Sequence, residues 1–453
     1  MIERNTHAPF RFASLDELRG AIDALGVDIP VEEDITSLTR PLDVAGHIVP
    51  NAMAVHPMEG CDGAPDGSPG ELTFRRYHRF AAGGAGLLWF EACAVVHEGR
   101  ANPRQIMLTR ANRDQFARML DESLAAARES MGPDHKPFTV LQLTHSGRYS
   151  RPIDVPRPII AHHDPLLDPT KNLPPDYPLI TDEELERLED AYAESAKLAF
   201  DVGFDAVDIK ACHRYLLNEL LAAHTREGKY GGSYEKRTRL IRNVGGKVID
   251  TAPKGKVVTA RINIHDAHPY PHGWGMSATD PTQPDLSEPK RLVRKFYEMG
   301  MPIINITMGN PYFRPHINRP YDRAAQGGVL PEEHPLVGIE RLTGLTRELA
   351  QAVPEIAIIG SGYSWLRELW PYVAAGMIQD GGMKMVGLGR QSFAYPGFAK
   401  EIIETGSLRR GHTCVGCSRC TEIMRDDGKA GCALFDSEVY GPIYREGREK
   451  SGN

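Results

Sequence analysis

The chain has 453 residues, 41% of them hydrophobic and 25% charged, which supplies enough apolar material for a sizeable core and excludes disorder as the default. Its 53 basic and 60 acidic residues give a formal charge of −7 with no Lys/Arg block, a balance that argues against nucleic acid, whose phosphates reward dense positive charge. The N-terminal stretch MIERNTHAPFRFASLDELRG is charged throughout, and no segment reaches the ~18 uncharged apolar residues of a membrane span, so a cytoplasmic protein without a membrane partner is expected.

Residues 1–40 carry no recognisable chemistry and are expected to pack outside the main domain as an extension. Eight short apolar runs follow: IVPNAMAV from position 48, GLLWFEACAVV from 86, FTVLQLTH from 138, FDAVDI from 204, KVVTARINI from 256, MPIINITM from 301, IAIIG from 356 and MVGLG from 385. Amphipathic segments such as 114–128 and 182–200 lie between them, the second opened by Thr181 and Glu184 at capping-box spacing. Continuous Val/Ile/Leu strands alternating with helices indicate a parallel sheet covered by helices. Eight such units predict a closed TIM-type (β/α)8 barrel over residues 41–405, with reactive groups where strands end. The open doubly wound sheet is the rival, and no Gly-x-Gly-x-x-Gly follows a strand to support it. Two long segments, 152–178 and 309–335, follow strands and read as functional covers over the strand ends.

Of seven cysteines, Cys61, Cys93 and Cys212 are isolated and read as buried small hydrophobes. Cys414, Cys417, Cys420 and Cys432 form Cys-x2-Cys-x2-Cys-x11-Cys within a C-terminal segment, 406–453. Zinc favours paired Cys-x2-Cys knuckles, whereas three close cysteines and a distant fourth better suit the corners of a [4Fe-4S] cube. A C-terminal iron–sulfur-binding extension is therefore expected.

Four stretches narrow the reading further: NAMAVHPMEG (51–60), QLTHSGRYS (142–150), DIKACHRYLLNELLAAHTREGKYGGSYEKRTR (208–239) and GLGRQSFAYP (387–396). In this order and spacing the chain resembles the old yellow enzyme family, in particular the branch containing 2,4-dienoyl-CoA reductase and trimethylamine dehydrogenase. That resemblance implies FMN at the carboxyl mouth of the barrel and a [4Fe-4S] cluster just after it. It implies backbone contacts from Pro57, Met58 and Ala92 to the isoalloxazine, with Glu59 beside the reactive edge. Gln142 matches the amide that reads the pyrimidine edge, where donor and acceptor are both needed. Arg261 matches the guanidinium near flavin N1 and O2, and Ser361, Gly362, Gly389 and Arg390 match the phosphate cradle.

The implied catalytic group is Tyr215, a general acid protonating the carbon opposite the one that takes hydride from flavin N5. Many relatives place a His/His or His/Asn pair at positions 210 and 213, where this chain has Lys210 and His213. Two roles are open for Lys210: attraction of an anionic or strongly polar substrate, or neutralisation of a carboxylate such as Glu59. Two are open for Glu59: a protonated donor to the flavin, or a carboxylate that tunes its potential. Tyr312, His316 and Arg319 are candidates for the substrate pocket.

The expected activity is reduction of an activated C=C bond in a small-molecule substrate. Its rivals are dehydrogenation of an amine or cyclic substrate, and a non-catalytic electron-transfer subunit. The sixth strand end, Ile304-Asn-Ile-Thr-Met-Gly309, lacks the Trp that an aromatic bowl for an alkylammonium would need, which places the amine second. The 21 residues after Cys432 are too few for a dinucleotide-binding domain, so electrons are expected from NAD(P)H directly or from a separate reductase or ferredoxin-like partner. A homo-oligomer is expected.

Overall fold

The computed structural model describes residues 3–452. Two short strands come first, β1 (Leu42–Val44) and β2 (His47–Val49), paired antiparallel across Ala45 and Gly46. Both turn residues have positive φ, 55° and 80°, as a two-residue turn joining right-twisted strands requires. Eight parallel strands then close into a barrel: β3 (Met53–Val55), β4 (Leu87–Ala94), β5 (Phe138–Thr144), β6 (Ala206–Ala211), β7 (Val257–Asn263), β8 (Ile303–Thr307), β9 (Ala357–Gly360) and β10 (Met385–Leu388), with β10 hydrogen-bonded back to β3. The predicted barrel is present, and each apolar run supplies one strand. The first run is divided, because residues 48–49 belong to the hairpin and only the end of IVPNAMAV enters the barrel. Pro50 and Asn51 mark that break.

Register explains both the core and the site. Alternate strand residues point inward, and at the base Ala54 pairs with Leu87, Leu87 with Phe138, Val140 with Ala206 and Ala206 with Val257, with Ile303 in the same layer. With Trp89, Ile359 and Met385 these side chains form one buried apolar cluster, which Val44 and Val49 of the hairpin cap from below. The intervening residues, among them Val55, Leu88, Leu141, Val207 and Ile262, belong to the larger cluster shared with the helices. Two to six residues further along the inward series turns polar: Gln142 pairs with Asp208, Lys210 with Arg261, Arg261 with Asn305 and Asn263 with Thr307. The barrel is thus closed with hydrocarbon at one end and lined with polar groups at the carboxyl end.

The helix Asp182–Val202 begins with the predicted capping box, in which the Glu184 amide donates to Thr181 Oγ1 at 3.1 Å and the Thr181 amide donates to Glu184 Oε2 at 2.7 Å. At the N-terminus, helix Leu15–Leu25 buries Leu18, Ala21, Ile22 and Leu25, and Phe10 and Phe12 meet Trp365 edge-on. At the C-terminus, Asp436 accepts from Arg75 at 2.7 and 2.9 Å, and the Ala430 amide donates to the Gly60 carbonyl at 2.6 Å, which pins the cysteine segment beside the loop after β3. No helix among the described residues is long and apolar enough to cross a membrane.

Candidate active site

A cavity of about 430 Å³ opens at the carboxyl end of the barrel, within the range of small-molecule and cofactor sites. Pro57, Met58, Glu59, Lys210, His213, Tyr215, Arg261, Ser361, Gly362, Gly389 and Arg390 all line it, although they come from five different strand ends. Ala92 and Gln142 do not. Gln142 lies one layer deeper, where its amide donates to Asp208 Oδ2 at 2.5 Å alongside Trp89 Nε1 at 2.9 Å. Burial pushes the Asp208 carboxyl up to about 6 despite these donors. Tyr312 and Arg319 of segment 309–335 line the cavity, while His316 lies outside it.

The lining contains an unfilled set of hydrogen-bonding groups. Arg261 Nε, His56 Nε2 and Arg390 Nη1 are buried without a partner, an arrangement that costs free energy unless a ligand completes it. Glycines bring backbone close to the same space: a Cβ at Gly387 would stand 1.6 Å from His56 Nε2, and one at Gly389 would stand 2.8 Å from Met58 Sδ. Gly362 has φ 102°, and a Cβ there would meet Leu342 at 2.5 Å. These features fit a planar, anionic cofactor such as FMN. His56 and Gly387 went unnoticed in the sequence; strand parity marks them, since His56 follows Ala54 by two and Gly387 follows Met385 by two on inward-facing series.

On the substrate side, Lys210 Nζ donates to Glu59 Oε1 at 3.0 Å and lies 3.8 Å from the centroid of the Tyr215 ring. Glu59, the carboxylate named beside Lys210 in the sequence, is thus within its reach. The Tyr215 hydroxyl lies 3.3 Å from Glu59 Oε1 and 3.0 Å from the Tyr312 hydroxyl. Burial, followed by the charge of Glu59, holds the Tyr215 phenol well above its ordinary pKa, so it keeps its proton. Burial and the nearby Arg261 and Lys210 cations keep the His213 imidazole neutral, and its Nε2 lies 3.3 Å from Asn318 Nδ2.

Three connections hold this arrangement. His213 and Arg214 both occupy the left-handed region, at φ 64° and 60°, which is uncommon for residues with a Cβ. Arg214 is clamped by Asp164 Oδ2 at 3.1 Å and Asp266 Oδ2 at 3.2 Å, and its amide donates to Asn218 Oδ1 at 2.7 Å. Asp164 belongs to segment 152–178, while Asp266 belongs to residues 264–286, a third long loop that the apolar runs did not disclose. Arg148, fully buried, ties Asp168 to Glu219 in the same region.

The four C-terminal cysteines line a smaller cavity adjoining the first, with Cys420, Arg390 and Phe393 bordering both. Among the described residues no group of three or more His, Cys, Asp or Glu side chains is disposed to hold a metal ion. The thiols ring a hollow, with Gly416 and Ser418 in left-handed conformations turning the chain around it. Cys61, Cys93 and Cys212 are buried, as expected of small hydrophobes, although Cys61 also borders the larger cavity.

Comparison with known proteins agrees with this architecture. An NADPH dehydrogenase of Geobacillus thermodenitrificans (strain NG80-2) is 28% identical over 280 residues, covering 60% of this chain and 71% of that protein. A 2-naphthoyl-CoA reductase in complex with 2-naphthoyl-CoA superposes with a TM-score of 0.70 at 18% identity, over 90% of this chain and 58% of that one. Histamine dehydrogenase from Rhizobium sp. 4-9 superposes with a TM-score of 0.64 at 18% identity, over 90% of this chain and 53% of that one. The chain thus spans little more than half of either solved chain, and at this identity the likeness is one of fold. The pattern of the NADH:flavin oxidoreductase / NADH oxidase family matches residues 37–279, more than half of the sequence, and the chain belongs to that family of FMN-binding flavin oxidoreductases.

Proposed function

We propose that the chain holds FMN in the barrel cavity and a [4Fe-4S] cluster among Cys414, Cys417, Cys420 and Cys432, and that it reduces an activated C=C bond of an anionic or strongly polar substrate. The observation that carries the reading is the buried Tyr215 phenol, opening on the same cavity as the partnerless nitrogens of Arg261, His56 and Arg390. Pro57, Met58, Glu59, Arg261, Ser361, Gly362, Gly389 and Arg390, together with His56, would hold the flavin, whereas Gln142 would act through Asp208 or from below. FMN, when bound, supplies the hydride.

The protein's own residues supply the rest. Tyr215 gives a proton to the carbon opposite the one that receives hydride, the ordinary task of a positioned general acid. The Lys210–Glu59 pair fixes the phenol from below, and neutral His213 offers a hydrogen bond to an electron-withdrawing oxygen. Nine Lys and Arg side chains line the cavity against two carboxylates, Glu59 and Asp427, so its field attracts anions and repels an alkylammonium. That balance favours a carboxylate or an anionic ester over an amine. Arg390, Phe393 and Cys420 on the common wall place the cysteine hollow against the flavin cavity, as electron entry through a cluster would require. The donor is NAD(P)H itself or a separate iron–sulfur or flavin protein.

Anaerobic holoenzyme, reduced with dithionite, is mixed with a panel of enoates, enones and enoyl thioesters while flavin absorbance is followed. At least one acceptor should reoxidise it, and Tyr215→Phe should slow that step by about 10²–10⁴ while leaving dithionite reduction intact. Reoxidation by no C=C acceptor would overturn the reading.

A further inference from the structure

We propose that Tyr312 is the relay through which Tyr215 recovers its proton from solvent, so that two phenols form one path from the mouth of the cavity to the reacting carbon. The proposal rests on the reductase reading above. Tyr215 is 1% exposed, whereas Tyr312 is 45% exposed and lies within hydrogen-bonding distance, 3.0 Å between the hydroxyls. A phenol has one proton to give. Either hydroxyl can donate across the Tyr215–Tyr312 contact; with the Tyr215 proton directed to Glu59 Oε1, Tyr312 donates and the bonds run inward from the mouth. At 3.3 Å the bond to Glu59 is long for O–H···O, which leaves the Tyr215 proton easily redirected to a substrate. Glu59 Oε1 already accepts from the Lys210 ammonium at 3.0 Å, so it faces the pair of phenols as an acceptor.

The geometry of Tyr312 is built, not incidental. Its ring stacks on Tyr149 with centroids 4.1 Å apart, its amide donates to Asn310 Oδ1 at 2.9 Å, and Asn310 Nδ2 donates to the Tyr149 hydroxyl at 2.8 Å. The ring is therefore fixed while its hydroxyl faces Tyr215.

The step balances. The C=C bond takes a hydride, with both electrons, at one carbon and the Tyr215 proton at the other. The Tyr215 phenolate left behind takes the Tyr312 proton, and Tyr312 takes one from water, whose hydroxide the buffer neutralises. Tyr312 acts through Tyr215 and does not itself need to touch the substrate.

Tyr312→Phe keeps the stacked ring and removes only the hydroxyl. With a C=C acceptor that the wild-type holoenzyme reduces, and dithionite as reductant, the first turnover uses the proton already on Tyr215. The variant should show a burst of about one product per chain followed by a steady rate about tenfold below wild type, with a larger solvent deuterium effect on the steady phase only. A second readout needs no acceptor: in holoenzyme labelled with [13Cζ]tyrosine, hydroxyl hydrogen exchange at Tyr215 should slow by a similar factor. Equal burst and steady rates together with unchanged Tyr215 exchange would overturn the relay. Should the wild type reduce no acceptor, the reductase reading falls, and slowed exchange in the variant would still establish the proton path.

Discussion

Arg214 offers the sharpest test of how the turn after β6 is held. Replacing it with Met retains the volume and removes the guanidinium between Asp164 at 3.1 Å and Asp266 at 3.2 Å, where all three side chains are fully buried. Breaking one partner out of a buried ion cluster costs about 3–5 kcal/mol, since the remaining charges lie uncompensated. Here the orphaned carboxylates keep other donors: His268 at 2.9 Å and the Leu166 amide at 2.9 Å for Asp164, and Asn263 at 2.7 Å and the Trp274 amide at 3.0 Å for Asp266. The lower end, about 3 kcal/mol, is therefore expected. At about 2.1 cal/mol/K of unfolding entropy per residue, a chain of this length loses about 1 °C per kcal/mol, so calorimetry at pH 7 should show Tm lowered by about 3 °C.

The pH dependence has a definite sign. Burial alone would raise the Asp164 carboxyl, but the His268 hydrogen bond and the Arg214 charge outweigh it and hold the group well below the usual carboxylate range. A depressed folded pKa contributes stability above the unfolded value of about 3.9 and loses it as pH falls towards the folded one. The deficit of Arg214→Met should accordingly be full at pH 7 and narrow below about pH 4. A Tm within 1 °C of wild type at pH 7, or a deficit that widens in acid, would refute the clamp.

Two further outcomes test the cofactor sites. Gly387→Ala places a Cβ where His56 Nε2 stands, at 1.6 Å; with an overpacking cost of about 1–3 kcal/mol, FMN affinity measured by fluorescence titration should fall about ten- to a hundredfold while far-UV dichroism is unchanged. Cys417→Ser should lower the iron and acid-labile sulfide of anaerobically purified protein from about four per chain to below one, and wild-type iron content in the variant would argue against this cysteine as a ligand.

The periodicity of the chain was sufficient for the barrel. Eight Val/Ile/Leu runs spaced by amphipathic segments admit few arrangements in which every strand is buried on both faces, and local patterning carries that information directly. The capping box before Asp182 and the three isolated, buried cysteines were legible for the same reason, because each depends on near neighbours or on residue type alone. The hairpin Leu42–Val49 was not, since its last apolar residues, Ile48 and Val49, are parted from the first barrel strand only by Pro50, Asn51 and Ala52.

The site required the fold. Glu59 and Lys210 are 151 residues apart, and only barrel closure brings them to 3.0 Å. Tyr312 reaches Tyr215 because a 97-residue separation is closed by a loop folding back over the strand ends. The Arg214 clamp draws its carboxylates from two different loops, one of which had no sequence signature. Strand alternation fixes which residues face inward, but the pairing of an inward charge with its partner depends on register and loop path, and those are settled only when the whole chain is packed.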